Sequence, residues 1–231
     1  MKSSKNIIMI ILMLIALCRQ AFAQNAKLDS IYRLEQFEEL AQKGHWEVVK
    51  QKKGVTLSYR KLKVADTLDI RELSASFTIL STVGHIIEHV KQPLRMQEWN
   101  EGVRHSELLE NQDSTWVSHI TFDIPYPFPQ QELIARYDVD RDRERVTIST
   151  RSVPNYKDLK KGVNREKYNW GRWSLYPKDN GSVQVTFTVI SLSNSNIPRF
   201  IKDPIIKRKL INSFINLKDK LSGPVLFKPG S

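Results

Sequence analysis

An α+β fold built on one antiparallel sheet is what this sequence predicts, on three observations. Its strand-like segments, with apolar and polar residues alternating, are gathered along the middle of the chain. Helical patterns occur near the start, once briefly between strands, and at the end, so helices and strands are segregated. The last helical pattern, 198–221, is long enough to lie across a whole sheet.

The first 23 residues read as a secretory signal peptide. Lys2 and Lys5 make a basic start, Ile7–Leu17 is an apolar run too short to span a bilayer, and Ala21-Phe22-Ala23 supplies a small-x-small cleavage pattern. Leu17 before Cys18 argues against lipid attachment at that cysteine, where a small residue is wanted. Cys18 is the only cysteine of the chain, so the exported remainder would carry neither thiol nor disulfide. The expectation is a protein exported to the periplasm or secreted, with an N-terminal helix in 24–44, one folded domain in 45–221 and a short tail in 222–231.

Within 24–44, Leu28, Ile31, Leu34, Phe37, Leu40 and Ala41 recur at helical spacing and Gly44 stops the run. "GVTLSYRKL" and "LDIRELSASFTI" then alternate as strands. A short helix over Thr82–Lys91 ends before Pro93. "RHSELLE" and "TWVSHITFDI" flank a polar turn, and "PYPFP" bends the chain into "ELIARYDVDR" and "RVTISTRSV". A loop over Pro154–Lys161 precedes "REKYNWGRWSLYP" and "SVQVTFTVISL", joined by a "KDNG" turn. A sheet curling around one long helix leaves a space between the two, the natural place for a ligand.

Of 231 residues, 36 are Lys or Arg and 25 are Asp or Glu, a formal net charge of +11. A basic surface suits anionic membrane surfaces or other anionic partners, and export argues against nucleic acid. The chain has no nucleophile elbow, no phosphate-binding loop and no dinucleotide fingerprint. "HIIEH" (85–89) does match the inverted zinc-protease motif. Val83, Ile86, Ile87 and Val90 make one apolar stripe, however, and His85 and His89 fall about 200° and 240° around from Val83. Both histidines are therefore expected on the face away from the core, with no metal, no cofactor and no catalytic residue.

Laid end to end, several segments resemble the START family of lipid-transfer domains. Trp46 precedes a glycine turn and the "KKGVTLSYR" strand, and Trp99 follows the short helix. "DIPYPFPQQELI" is similar to the family's proline-rich segment, through Pro125, Tyr126 and Pro127. "GVNREKYNWGRWSLYPKDNGSVQVTF" and "NIPRFI" follow in the family's order, so the resemblance runs from His45 to Leu221. It implies a helix-grip fold, a curved antiparallel sheet gripping the C-terminal helix around an apolar tunnel. It also implies a lipid or other apolar small molecule as the partner. Gln131-Glu132 stands where the family has an Arg-Asp pair, so a sterol is not carried over.

Within this frame, Gln131, Leu133, Ala135, Tyr137 and Val139 share one strand face and would point inward, while Glu132, Arg136 and Asp138 would meet water. Counting back from Trp173 and Leu175 along "REKYNWGRWSL" puts Arg165 on the same face, at one end of a tunnel or paired at the rim. His119 faces inward only if Trp116, Ile120 and Phe122 face outward. The candidate ligand-binding residues are Trp99, His119, Gln131, Leu133, Tyr137, Arg165, Trp173, Phe187, Ile201 and Ile205. The terminal helix also carries Lys202, Lys207, Arg208, Lys209, Lys218 and Lys220, a basic side for transient contact with an anionic membrane, and Pro204 should kink it. The expected protein is a monomeric carrier gated by that helix. Two rivals are an aromatase- or cyclase-like enzyme using His119, Tyr137 and Arg165, and a module binding an envelope protein through its basic face.

Overall fold

The computed structural model describes residues 44–64, 68–126, 128–159, 161–191 and 199–222. The signal-peptide and N-terminal-helix expectations, and the tail beyond Ser222, lie outside the described residues. Apart from Gly44, the described residues belong to one compact unit that begins at His45.

Ten strands form a single sheet: β1 Glu47–Lys52, β2 Val55–Val64, β3 Leu68–Leu80, β4 Val103–Asn111, β5 Thr115–Phe122, β6 Gln130–Arg141, β7 Val146–Ser152, β8 Val163–Arg165, β9 Asn169–Pro177 and β10 Ser182–Ser191. Their order is β1-β2-β3-β10-β9-β7-β6-β5-β4, antiparallel throughout, with β8 paired in parallel outside this path to β6. Two helices, α1 Val83–Lys91 and α2 Pro93–Trp99, carry the chain from β3 to the far edge strand β4. The long α3, Arg199–Leu221, ends the described chain. No helix among the described residues is long and apolar enough to cross a membrane.

Local sequence explains most of these elements. Lys53 and Gly54, both at positive φ, close the β1–β2 hairpin as a two-residue turn matched to strand twist. Thr82 caps α1 by accepting the His85 N–H. Pro93, which reads as a stop, also starts α2, because proline's missing N–H costs nothing in a first turn. Pro204, itself exposed, lies inside α3.

The core lies between the sheet and α1, α2 and α3. Phe214 is its hub, with ring centroids 5.4 Å from Phe187, 5.7 Å from Trp173, 6.0 Å from Phe77 and 6.2 Å from Trp99. These contacts fix which face of each strand looks toward α3: Leu57, Ala75, Phe77, Trp116, Ile120, Leu133, Tyr137, Ile148, Trp173 and Val185 all join the same core.

The "HIIEH" helix differs from its expectation in one respect. Ile86, Ile87 and Val90 are buried as the stripe predicts, but His89 is buried too. The face that a lone helix would offer to water is covered by α2: Trp99 Nε1 donates to the His89 carbonyl at 2.8 Å, and Arg95 reaches the His89 ring. His89 Nδ1 lies 2.9 Å from the His85 carbonyl, and the two rings pack edge to face. Among the described residues, no three His, Cys, Asp or Glu side chains gather as a metal site would need.

Burial holds both imidazoles below their ordinary pKa of 6.5, aided in His85 by the neighbouring His89 and opposed in His89 by its bond to the His85 carbonyl. The unfolded chain therefore takes up these protons first as pH falls. Stability present above about pH 6.5 should decline as pH drops toward the lower folded values. Urea midpoints measured between about pH 7.5 and 5.5 should fall, and His89→Gln should flatten that slope.

Candidate functional site

Side chains of adjacent strands meet in rungs across the sheet, and the rungs facing α3 differ in character. One runs Leu57–Ala75–Phe187–Trp173–Ile148–Val139, apolar throughout and pressed against Phe214. The next runs Tyr59–Leu73–Val189–Gly171–Thr150–Tyr137–Trp116. Beyond it, Leu108, Ser118, Ala135 and Ser152 continue on β4, β5, β6 and β7. The progression is from large and apolar to small and polar.

Packing against α3 follows the same gradient. Its C-terminal half is locked down: Ile211, Phe214, Ile215, Leu217 and Leu221 are buried. In its N-terminal half, Ile205, Ile206 and Leu210 are only half-buried. Beneath it, Leu73, Phe187 and Val189 lie on central strands and face the helix, yet remain half-buried. In the middle of a ten-stranded sheet that is unusual, because both flanks are covered by neighbouring strands. An ion pair from Arg71 on β3 to Asp203 on α3 ties down this looser end, and Lys209 holds Asp123 at 2.9 Å at the start of the proline bend.

Several buried polar atoms face this interior without a partner. Ser106 Oγ, Trp116 Nε1, Ser118 Oγ and Thr150 Oγ1 are all buried and make no hydrogen bond. The Tyr137 ring stacks on Trp116, centroids 4.8 Å apart, and burial pushes its hydroxyl far above the ordinary tyrosine range.

Of the residues singled out from sequence, Trp99, Leu133, Tyr137, Trp173 and Phe187 stand in or against the helix-facing core, and Gln131 shares that face by register. Ile205 is half-buried on α3, and the side chain of Ile201 lies outside the described residues. His119 and Arg165 are placed elsewhere. Trp116, Ile120 and Phe122 face the helix, so His119 projects from the opposite side of β5. Its Nδ1 is 2.8 Å from Glu107 and its Nε2 is 2.8 Å from Glu132.

Arg165 completes this outer cluster. It bonds Glu132 through Nε at 2.8 Å and Nη2 at 2.6 Å, and donates to the carbonyls of Pro154, Lys157 and Asp158. Counting alternate residues back from Trp173 fails because β8 ends at Arg165 and β9 begins only at Asn169. Glu132, expected in water, is buried because β8 and the loop residues 153–159 cover it. Burial alone would raise its carboxyl pKa, but the bonds from His119 and Arg165 outweigh that and hold it below the ordinary carboxylate range. The His119 bond, then that of Lys157, also lowers Glu107.

Sequence reasoning passed over Ser118 and Thr150, and Trp116 was read only as one of an apolar row. The strand alternation did carry their phase. Their lack of partners depends on pairing register, which no single strand reveals.

No protein-family model matches the chain. An uncharacterised Pseudomonas aeruginosa protein is 20% identical over 174 residues, covering 75% of this chain and 85% of that protein. Among solved structures, a STAR-related lipid transfer protein from Xanthomonas axonopodis superposes with a TM-score of 0.69 at 20% identity, over 77% of this chain and 99% of the other. Human StAR-related lipid transfer protein 5 gives 0.68 at 14% identity, over 86% and 97%. An aromatase/cyclase from Streptomyces gives 0.50 at 13% identity, over 70% and 99%. The curved antiparallel sheet gripping a C-terminal helix is the helix-grip fold, and this chain has it in the form found in START lipid-transfer domains.

Proposed function

We propose that this protein binds one apolar or amphiphilic small molecule between the sheet and α3 and shields it from water. The observation that carries this reading is the looser end of the core, where Leu73, Phe187 and Val189 face the helix on central strands but stay half-buried. The names of the START-type relatives, lipid transfer proteins, agree with such a ligand. Burying alkyl chain contributes about 0.8 kcal/mol per methylene, so a chain of about a dozen carbons supports micromolar binding after ordering costs.

Entry and release fall to the N-terminal half of α3 and the bend beside it. Moving the whole helix would tear Phe214 and Leu217 from the core, whereas the described residues of its N-terminal half are tied by the Arg71–Asp203 and Lys209–Asp123 pairs. The helix's other cations are partly occupied, Lys218 on the Lys53 carbonyl and Lys220 on Glu98. Lys207 lies over the Tyr59 ring at 5.5 Å, and the exposed Arg208 is left for an anionic membrane surface. The protein works as a monomer, exported by the segment 1–23 to the periplasm or beyond.

A carrier is favoured over a cyclase-like enzyme because the three candidate catalytic side chains do not converge. Tyr137 faces the helix, while His119 and Arg165 are engaged with carboxylates on the other face. Native mass spectrometry of protein purified without detergent, paired with organic extraction, tests the reading. A stoichiometric adduct that extracts as an amphiphile is expected. A protein that arrives empty and takes up no added amphiphile would overturn it.

A further inference from the structure

Whatever occupies the interior must satisfy, or leave unsatisfied, the polar atoms already there. Trp116, Tyr137 and Thr150 are successive members of one rung, and Ser118 stands two residues from Trp116 on the same face. Trp116 Nε1, Ser118 Oγ and Thr150 Oγ1 lack partners, and all three residues are at least nine-tenths buried, Trp116 and Ser118 completely. An unpaired buried donor or hydroxyl is destabilising, so a fold that gathers three around one tyrosine has a polar occupant to meet them. Gly171, next to Thr150, leaves room for about one methyl group: a Cβ there would stand in ordinary contact with Thr150 Oγ1 at 3.6 Å and the Phe187 ring at 3.5 Å.

The charge of that occupant can also be read. Among the described residues, the buried ionisable groups other than tyrosines lie away from this rung. Glu72 is paired with Arg60, Glu132 and His119 belong to the outer cluster, and His89 packs under α2. Lys91 lies over the Trp116 ring at 5.6 Å and is bonded to the Gln112 carbonyl. At the looser end both signs of charge occur: Glu166 accepts from Asn169 and Ser191, and Arg71 is paired with Asp203. A buried carboxylate or phosphate would find no cation among the rung's own side chains, and a buried ammonium no carboxylate there. A hydroxyl, ketone or amide oxygen would find an indole N–H and hydroxyls that donate or accept as required.

Accordingly, we infer that Trp116, Ser118, Tyr137 and Thr150 form a subsite for an uncharged oxygen-bearing head group, so that the ligand is a neutral amphiphile and not a fatty acid, phospholipid or amine. This rests on the carrier reading above. It makes an unusual demand of mutants: removing the Ser118 or Thr150 hydroxyl should weaken binding without weakening the empty fold, since those two hydroxyls bond nothing in the protein.

The test uses the neutral dye Nile red as a reporter of the interior, displaced by dodecanol, dodecanoate or dodecylammonium, which share one chain and differ in head group. Dodecanol is expected to displace the dye about tenfold more tightly than either ion. Tyr137→Phe and Thr150→Val should each weaken dodecanol about five- to tenfold, with displacement read against each variant's own directly titrated dye affinity, and Thr150→Val should melt at an equal or higher temperature. Equal affinity for the three head groups, tighter binding of an ion, or unchanged dodecanol affinity in both variants would overturn the subsite. So would a clear fall in the melting temperature of Thr150→Val, which would show its hydroxyl to be structural. Failure of the dye and of all three amphiphiles to bind would instead overturn the carrier reading itself.

Discussion

Arg165→Ala should cost about 3–5 kcal/mol of folding stability, because it strands a buried carboxylate. Arg165 and Glu132 side chains are 5% and 4% exposed, so neither charge is relieved by solvent. The substitution also strips donors from the carbonyls of Pro154, Lys157 and Asp158, which Arg165 gathers over the outer face of β5 and β6. Since a domain is stable by only about 5–15 kcal/mol, the loss should lower the urea midpoint sharply. Arg165→Met combined with Glu132→Gln should recover much of it, because the unpaired charge is then gone. A double variant no more stable than Arg165→Ala would mean that the loop carbonyls, not the ion pair, dominate.

The acid limit of the fold follows from the same cluster. Glu132 and Glu107 both titrate below their ordinary value of 4.5 in the folded protein. Their contribution is therefore complete above about pH 4.5 and is lost as pH falls through the lower folded values. Arg165→Ala removes one cause of that depression, so its acid unfolding midpoint should move upward.

Phe214→Ala should be comparably severe, about 3–5 kcal/mol, for a different reason. Phe214 is 1% exposed and touches rings from β3, α2, β9 and β10 at once. Truncation opens a cavity in the middle of that aromatic group, and four rings on separate elements cannot all collapse into it. Phe214→Leu should cost markedly less, because most of the volume remains. The functional consequence is separable: Phe214 anchors the half of α3 that stays put, so the substitution should loosen the whole helix and raise the dissociation rate of a bound dye. Thermal melts of both variants, read beside dye release, check the two effects independently.

Much of this molecule was legible before any coordinates. Alternation along "ELIARYDVDR" put Leu133, Ala135, Tyr137 and Val139 on one face, and they do face the helix. The apolar stripe of α1 and the span of α3 were equally plain, because periodicity is a local property that a folded surface only has to accept. The same alternation failed across Arg165, where a three-residue break between β8 and β9 reset the phase. It failed again at His89, buried by a neighbouring helix whose first residue is a proline.

The sequence by itself therefore determined the α+β class, the order of strands and helices, and which residues could form an apolar layer. Each of these depends on near neighbours along the chain. Only the tertiary structure decided that Arg165, His119 and Glu132 close an outer cluster and that Trp116, Ser118 and Thr150 turn unpartnered polar atoms inward. Partnership in a sheet is set by register between strands up to tens of residues apart, and a polar group's role depends on what stands opposite it.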